Sequence, residues 1–233
     1  MKKLFIIANW KSNKSIKETE KWLHDFSGEF KRNPFSLDHK EVIVSPSFTL
    51  LEHAKYCLGN VKLPISLASQ NISPFNEGAY TGEVSARQIR ELASYVIIGH
   101  SERREHFAED QSMIDQKIQQ ALKYELVPIL CISNLGQIKN EKIKMQNDNE
   151  KLKMIVAYEP LFAIGSGQPD TPANANDMAK KIKEVLGEIP VLYGGSVSPK
   201  NVRSFTKMPS IDGVLVGGAS LNPLEFLEII KNA

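Results

Sequence analysis

The chain alternates short apolar runs with longer stretches in which apolar residues recur at helical spacing. The apolar runs are rich in β-branched residues and have the length of strands. They predict eight strands: Leu4–Ala8, Val42–Ser45, Ile65–Ser69, Tyr95–Ile98, Val127–Ile132, Met154–Tyr158, Val191–Tyr193 and Val214–Val216. The stretches between them predict six helices: Ile16–Phe30, Leu50–Leu58, Ala86–Leu92, Met113–Leu122, Met178–Leu186 and Leu224–Ile230. Alternation of this kind indicates βα units that build a parallel sheet.

Near-continuous apolar strands are typical of a parallel sheet, because both of its faces are covered. About eight βα units without a linker favour a closed barrel over a doubly wound open sheet. The pattern therefore predicts an α/β fold, a single (β/α)8 TIM barrel formed by one domain over residues 1–233. The weakest unit is Leu135–Glu150, which is rich in Lys, Asn and Glu, and there we expect a shortened, largely exposed helix.

Composition narrows the class of protein without identifying a function. A net charge of +2, with lysines scattered among acidic residues, provides no basic patch for nucleic acid. Cys57 and Cys131 are too few for a disulfide framework and fit a reducing compartment. No apolar stretch in the sequence approaches the roughly 20 residues that span a bilayer. We therefore expect a cytoplasmic enzyme that binds neither nucleic acid nor membrane.

The segment from Ala157 to Gly167 contains the clearest chemical signal. Glu159 follows a predicted strand, and Pro160 restricts it to an extended conformation. The next residues, Leu161–Ile164, form an apolar loop tip that we expect to be buried at least part of the time. A rigidly held carboxylate followed by an apolar loop with glycine at its far end indicates a catalytic base beneath a closing lid.

Polar residues also follow the first and fourth predicted strands, where catalytic groups of such barrels are found. Asn9 and Lys11 end the first strand, and Lys11 is either a solvated surface lysine or a cation that neutralises substrate charge. His100 precedes a plausible helix start, where the helix dipole disfavours imidazolium. A neutral imidazole there would donate a hydrogen bond to a carbonyl or enediolate, although an isolated histidine is more often structural.

The residues after His100 leave two interpretations open. Glu102, Arg103 and Arg104 form either a surface ion-pair cluster or a supporting layer behind the site. Ser101 and Glu102 are assigned to that supporting layer as a working hypothesis.

Two glycine pairs follow the last two predicted strands and indicate a phosphate site. Gly194-Gly195 precedes Ser196, and Gly217-Gly218 follows the eighth strand. Glycines before a helix allow backbone N–H groups to approach an oxyanion, and this pair of loops is the recurrent phosphate site of the barrel. We expect N–H donation from Ser196, Gly217 and Gly218, and from Gly165 when the lid closes, with the Ser196 hydroxyl as a further candidate donor. A single pair would more simply be a tight turn.

Other chemistries have weaker support in the sequence. There is no CxxC, HExxH or two-histidine-one-carboxylate grouping, and we predict no metal. The sequence contains no Walker lysine motif and no early GxGxxG. Nucleophilic catalysis by Cys131 is conceivable, but a small buried hydrophobic residue is the better interpretation.

Six motifs together resemble the triosephosphate isomerase family, in family order from Asn9 to Leu221. The resemblance implies cofactor-free interconversion of dihydroxyacetone phosphate and D-glyceraldehyde 3-phosphate, in glycolysis and gluconeogenesis. It implies that Glu159 is the base, His100 the electrophile, Lys11 the substrate-binding cation and Asn9 a further substrate contact. The motifs are Asn9-Trp10-Lys11, Gly99–Arg104, Ala157–Pro160, Ala163–Gly165, Tyr193–Val197 and Val216–Leu221.

The sequence departs from the family pattern at the lid and after the fifth strand. Leu161-Phe162 stands where the family commonly has Val-Trp, which removes an indole N–H. Ser133-Asn134 replaces a Gly-Glu pair. The long loop Gln70–Gly82 exceeds a routine βα connection. By resemblance, its segment Gly78–Glu83 inserts beside a partner's active site, and we therefore predict a homodimer.

Two other functions remain as alternatives. The first is another phosphosugar enzyme on the same barrel, such as an epimerase or an aldolase, and an aldolase would need a Schiff-base lysine. Lys11 and Lys153 are the candidates for that lysine. The second is a non-catalytic binding protein that has kept the barrel, because this fold hosts many functions.

Overall fold

The computed structural model of the chain describes residues 2–61, 63–138 and 154–233. Eight parallel strands pair in chain order, and the last pairs with the first to close a barrel. Each strand is short and apolar, because the sheet is covered on both faces. The strands are β1 Leu4–Asn9, β2 Lys40–Ser45, β3 Ile65–Ser69, β4 Tyr95–Ile98, β5 Val127–Ile132, β6 Ile155–Tyr158, β7 Val191–Tyr193 and β8 Gly213–Val216.

Helices connect the strands and pack around the outside of the barrel. Within the described ranges they are α1 Ile16–Arg32, α2 Phe48–Val61, α3 Ala86–Arg90, α4 Ser101–His106, α5 Gln111–Lys123, α6 Pro172–Leu186, α7 Val202–Thr206 and α8 Pro223–Asn232. Single 3₁₀ turns occupy Leu135–Ile138, Leu161–Ala163 and Gly218–Leu221. Among the described helices, none combines the length and the apolar character that crossing a membrane requires.

The core has two layers, because successive strand residues point to opposite faces of the sheet. The inner layer fills the barrel with side chains such as Ile7, Ile97 and Leu215. The outer layer lies between the strands and the helices and contains an aromatic group in which Trp22 stacks on Phe26, with their ring centroids 5.0 Å apart. The filled interior leaves no pore, so a ligand site must form at an end of the barrel.

The predicted (β/α)8 barrel is confirmed, and the eight predicted strands agree with the observed ones to within about two residues at each end. Helix α7 was not among the six predicted, and α4 was predicted only as a helix start after His100, because Ser101–His106 contains no apolar residue that would show a helical spacing. At the weak unit predicted over Leu135–Glu150, the structure has a 3₁₀ turn at Leu135–Ile138 with Ile138 buried. The remainder of that unit, 139–150, lies outside the described residues.

Candidate active site

The carboxyl ends of the strands surround a cavity of about 300 Å³. The loops after β1, β4, β6, β7 and β8 each contribute a wall, because all parallel strands point their carboxyl ends to the same end of the barrel. All eight residues predicted to act on or bind the substrate line this cavity: Asn9, Lys11, His100, Glu159, Gly165, Ser196, Gly217 and Gly218. Ser101 and Glu102 lie next to it and contact its walls.

Glu159 follows the end of β6 and is only 1 % exposed. Its backbone N–H donates to the Ile132 carbonyl of the neighbouring strand at 2.7 Å, which fixes the residue against the barrel rim. One carboxylate oxygen accepts the Ser101 backbone N–H at 3.1 Å, and the other lies 3.2 Å from Nε2 of His100. A buried carboxylate needs such partners, because removing an unpaired charge from water is very costly.

His100 caps α4 with its ring and is 6 % exposed. Its Nδ1 accepts the backbone N–H of Glu102 at 3.3 Å. An Nδ1 that accepts a hydrogen bond leaves the proton of the neutral ring on Nε2. The Nε2–H therefore faces Oε1 of Glu159, 3.2 Å away, beside the cavity.

Lys11 brings a positive charge to the same cavity. Its Nζ forms an ion pair with Oε1 of Glu102, so the supporting residue holds the lysine in place. The residue has a left-handed backbone with φ 53°, and its N–H donates to Oδ1 of Asn9 at 3.0 Å. Non-glycine residues in this conformation are uncommon and are concentrated at functional sites. The carboxylate, imidazole and ammonium groups thus meet around one space.

The far wall of the cavity is made by the glycine-rich loops. The backbone N–H groups of Gly165, Ser196 and Gly217 make no hydrogen bond to another described residue, so they are free to donate to an anion. The sequence placed each glycine pair before a helix, and in the structure neither helix begins directly after its glycine pair. A 3₁₀ turn follows Gly217, and α7 begins only at Val202, because Ser198 and Asn201 first form a separate turn. Backbone donors rather than helix ends form this wall.

The predicted lid segment forms a 3₁₀ turn, Leu161–Ala163, directly after Pro160. Leu161 and Phe162 are 65 % and 63 % exposed, so the apolar tip is not buried in this structure. Gly165 and Gly167 have φ values of 65° and 72°, which only glycine adopts freely. The Ala163 carbonyl accepts the Ser196 hydroxyl at 2.8 Å, which joins this turn to the loop after β7.

Three further predictions concern residues near the site. Cys131 is fully buried, and burial, followed by the nearby Glu159 carboxylate, raises the pKa of its thiol well above the usual range. A thiol held protonated in this way is a poor nucleophile. Arg104 donates to the carbonyls of Gly99 and Cys131, next to the site, while Arg103 pairs with the buried Glu109.

In the part of the chain that the structure describes, no group of three or more His, Cys, Asp or Glu side chains could hold a metal ion. Lys153, one of the two lysines considered for a Schiff base, lies outside the described residues.

Some residues of the site escaped sequence reasoning. A Cβ added at Gly194 would lie 2.8 Å from Cγ of Glu159, so this glycine makes room for the carboxylate side chain. A Cβ at Gly195 would overlap the Tyr193 hydroxyl at 2.2 Å. Asn201 lines the cavity although it is five residues beyond Ser196. The sequence showed the Gly194-Gly195 pair, but only the fold shows which side chains lie against each glycine.

Comparison with known proteins gives one consistent result. Residues 4–233 match the family model described as triosephosphate isomerase. A triosephosphate isomerase from Dictyoglomus turgidum is 40 % identical over 255 residues, with all of both chains covered. One from Mesomycoplasma hyopneumoniae is 40 % identical over 246 residues, again with both chains fully covered. One from Thermodesulfovibrio yellowstonii is 38 % identical over 251 residues, covering 99 % of this chain and 100 % of its own.

Proposed function

The chain belongs to the triosephosphate isomerase family and is an isomerase, and we propose that it interconverts dihydroxyacetone phosphate and D-glyceraldehyde 3-phosphate. The observation that carries this proposal is the convergence of Glu159, His100 and Lys11 on one cavity whose far wall presents free backbone N–H groups. We propose that the reaction needs no cofactor and takes place in the cytoplasm.

Glu159 acts as the base. An aldose–ketose exchange removes a proton from a carbon beside a carbonyl and returns it to the adjacent carbon. One carboxylate above the edge between C1 and C2 performs both transfers, with a contribution of about 10²- to 10⁴-fold. The Ser101 N–H holds one oxygen of the carboxylate, and the other oxygen lies beside His100 at the cavity.

His100 and Lys11 stabilise the enediolate. The Nε2–H of His100 donates to the carbonyl oxygen while negative charge develops on it, and the ammonium of Lys11 acts on the same charge. Such preorganised donors are usually the largest electrostatic contribution to catalysis. The side chain of Asn9 accepts the backbone N–H of Lys11 and so positions that residue. Asn9 also contacts the substrate from the same wall of the cavity.

The glycine-rich wall binds the phosphate. Backbone N–H groups of Ser196, Gly217 and Gly218 donate to its oxygens, and Gly165 joins them when the lid closes. Closure of Leu161–Gly165 buries the exposed apolar tip and excludes water. It also holds the phosphate in the plane of the enediolate, which disfavours its elimination.

The activity is tested by a coupled assay with D-glyceraldehyde 3-phosphate and the purified full-length chain. We expect reversible formation of dihydroxyacetone phosphate without added metal or cofactor. An aldolase is distinguished by borohydride trapping, which would attach the substrate to a lysine. Failure of isomerisation in both directions, with inorganic phosphate still bound, would leave a non-catalytic phosphate-binding barrel as the function.

We propose further that the protein is a homodimer. Phe75 and Tyr80 stack with ring centroids 4.4 Å apart, and each is 43 % exposed on the long loop after β3. An exposed stacked aromatic pair on one loop favours burial against a partner. Analytical ultracentrifugation at micromolar concentration is expected to give about twice the 26.1 kDa chain mass. A single species of monomer mass would refute the dimer.

A further inference from the structure

Asn201 lies at the position where an asparagine usually caps a helix, but its side chain makes no bond to α7. Its carboxamide instead binds the loop before the helix. The Oδ1 atom accepts the Ser198 N–H at 2.8 Å, and the Nδ2 group donates to the Ser196 carbonyl at 3.1 Å. The two bonds fix the peptide groups on both sides of Val197, which is 8 % exposed.

We call the two hydrogen bonds of the Asn201 carboxamide, to Ser196 and Ser198, the Asn201 clasp. Ser196 connects this clasp to two other parts of the site. Its hydroxyl donates to the Ala163 carbonyl in the lid turn at 2.8 Å. Its backbone N–H donates to no described residue and lines the cavity. Ser196 would donate its N–H to an anion and its hydroxyl to the lid turn, so its backbone must be held in one position. A displacement of about 1 Å can cost much of the catalytic rate.

We propose that Asn201 is a positioning residue, which holds Ser196 so that its N–H meets the phosphate while its hydroxyl binds the lid turn. This inference rests on the proposed function, because it assumes that the glycine-rich wall binds the phosphate of the substrate. Asn201 need not touch the reacting atoms. It acts through the backbone of Ser196.

The test compares Asn201→Ala with Asn222→Ala, a matched control. Asn222 caps α8 in the usual way, by accepting the N–H groups of Leu224 and Glu225, and it does not line the cavity. Dissociation constants for inorganic phosphate are measured by calorimetry on the full chain, and kcat and KM in the coupled assay. We expect Asn201→Ala to weaken phosphate binding and raise KM by about fivefold to tenfold, as for the loss of one hydrogen bond. The kcat should fall less than KM rises.

Asn222→Ala should lower the melting temperature and leave the phosphate dissociation constant within about twofold of the parent value. A purely structural role of Asn201 would give the same result for Asn201→Ala, and that result would overturn the proposal. Should Asn201→Ala not fold, Asn201→Gln retains the carboxamide but moves it by one methylene, so that it cannot make both bonds. We expect the same weakening, and parent-like phosphate binding by Asn201→Gln would also overturn the proposal.

The two levels of inference fail in different ways. A parent protein that turns over triose phosphate but whose Asn201 variants bind phosphate normally refutes the positioning role alone. Suppose that the parent protein binds phosphate but shows no turnover, and that the Asn201 variants bind phosphate more weakly. This result refutes the isomerase activity and supports the positioning role of Asn201. A parent protein that does not bind phosphate refutes the positioning role directly.

Discussion

At the scale of single residues, the site depends on a carboxylate buried without being neutralised by a direct cation. Glu159 is 1 % exposed, and its partners include the Ser101 N–H, Nε2 of His100 and the Cys131 thiol. Lys11, a cation that lines the same cavity, pairs with Glu102 instead. This arrangement supports the proposed roles, in which Glu159 transfers the proton and Lys11 acts on the charge that develops on the substrate.

The first prediction concerns Glu159→Gln. The amide keeps the shape of the side chain but cannot accept the substrate proton, so kcat should fall by about 10²- to 10⁴-fold. Phosphate affinity, measured by calorimetry, should stay within about twofold, because the glycine-rich wall is unchanged. Glu159→Asp serves as the control, since it retains a base at a longer distance and should lie between the parent and Glu159→Gln. Parent-like kcat in Glu159→Gln would exclude Glu159 as the base.

The second prediction concerns alkaline stability. Burial raises the pKa of Tyr193 to about 12, while a tyrosine in the unfolded chain titrates near 10. The unfolded state therefore loses this proton first, so the contribution of Tyr193 is complete below pH 10 and is lost between about pH 10 and 12.

The free energy of unfolding, measured by urea titration from pH 9.5 to 11.5, should fall with pH more steeply in the parent than in Tyr193→Phe. The difference in slope should reach up to about 1.4 kcal/mol per pH unit. Tyr56→Phe, at a tyrosine that is 69 % exposed, is the control. Identical slopes in the parent and Tyr193→Phe would show that burial of this phenol does not act on stability.

At the scale of elements, the turn Leu161–Ala163 is an apolar segment left in solvent. Its two large side chains are almost two-thirds exposed, while Ala163 is buried and bonded to Ser196. The turn is thus anchored at one end and free at its tip. An element of this kind stabilises the resting protein little and contributes binding energy only when it closes.

The third prediction is that replacing both Leu161 and Phe162 by serine lowers kcat/KM without unfolding the protein. Both side chains are exposed, so the melting temperature should change little. Burial of a leucine and a phenylalanine on closure is worth several kcal/mol, and its loss should lower kcat/KM by about tenfold or more. Leu224→Ser, at a leucine 49 % exposed outside the cavity, is the control. Unchanged kcat/KM in the double variant would rule out closure of this tip over the substrate.

At the scale of the whole molecule, the barrel closes where β8 meets β1, and the fit is tightest there. Gly213 pairs with Phe5 and has φ 148°. A Cβ added at Gly213 would lie 1.9 Å from the Phe5 carbonyl oxygen and 2.7 Å from its nitrogen. The neighbour is backbone and cannot move aside without opening the sheet. This glycine is therefore a condition for the closed barrel.

The fourth prediction is that Gly213→Ala destabilises the protein by about 3 kcal/mol, the upper range for overpacking in a core. Gly28→Ala is the matched control, because Gly28 lies inside α1 with no atom within 4 Å of an added Cβ. Alanine favours the helix, so Gly28→Ala should stabilise by up to about 1 kcal/mol. Urea unfolding measures both changes. Equal stability of the two variants would mean that β8 can shift at the closure without cost.

Many residues of the candidate site could be predicted, because each one directly follows a strand that is recognisable in the local sequence. Glu159, His100 and Lys11 each follow an apolar strand, and parallel strands bring such positions to one end of a barrel. What could not be predicted depends on partners distant in sequence. The pairing of Lys11 with Glu102 spans 91 residues, and the bond between Ser196 and Ala163 spans 33. The short helix α7 was missed and only the start of α4 was predicted, because their positions are set by the packing around them.

The sequence by itself determined the order of strands and helices, the barrel, and the types of residue at each strand end. Hydrophobic periodicity and the chemistry of each side chain are local properties, so the order of residues alone is enough to identify them. Only the tertiary structure decided which groups contact one another. Ser101 and His100 contact the carboxylate of Glu159, and Gly194 leaves space for it. Asn201 donates a hydrogen bond to the carbonyl of Ser196. These relations depend on distances between segments, and such distances exist only once the sheet has closed.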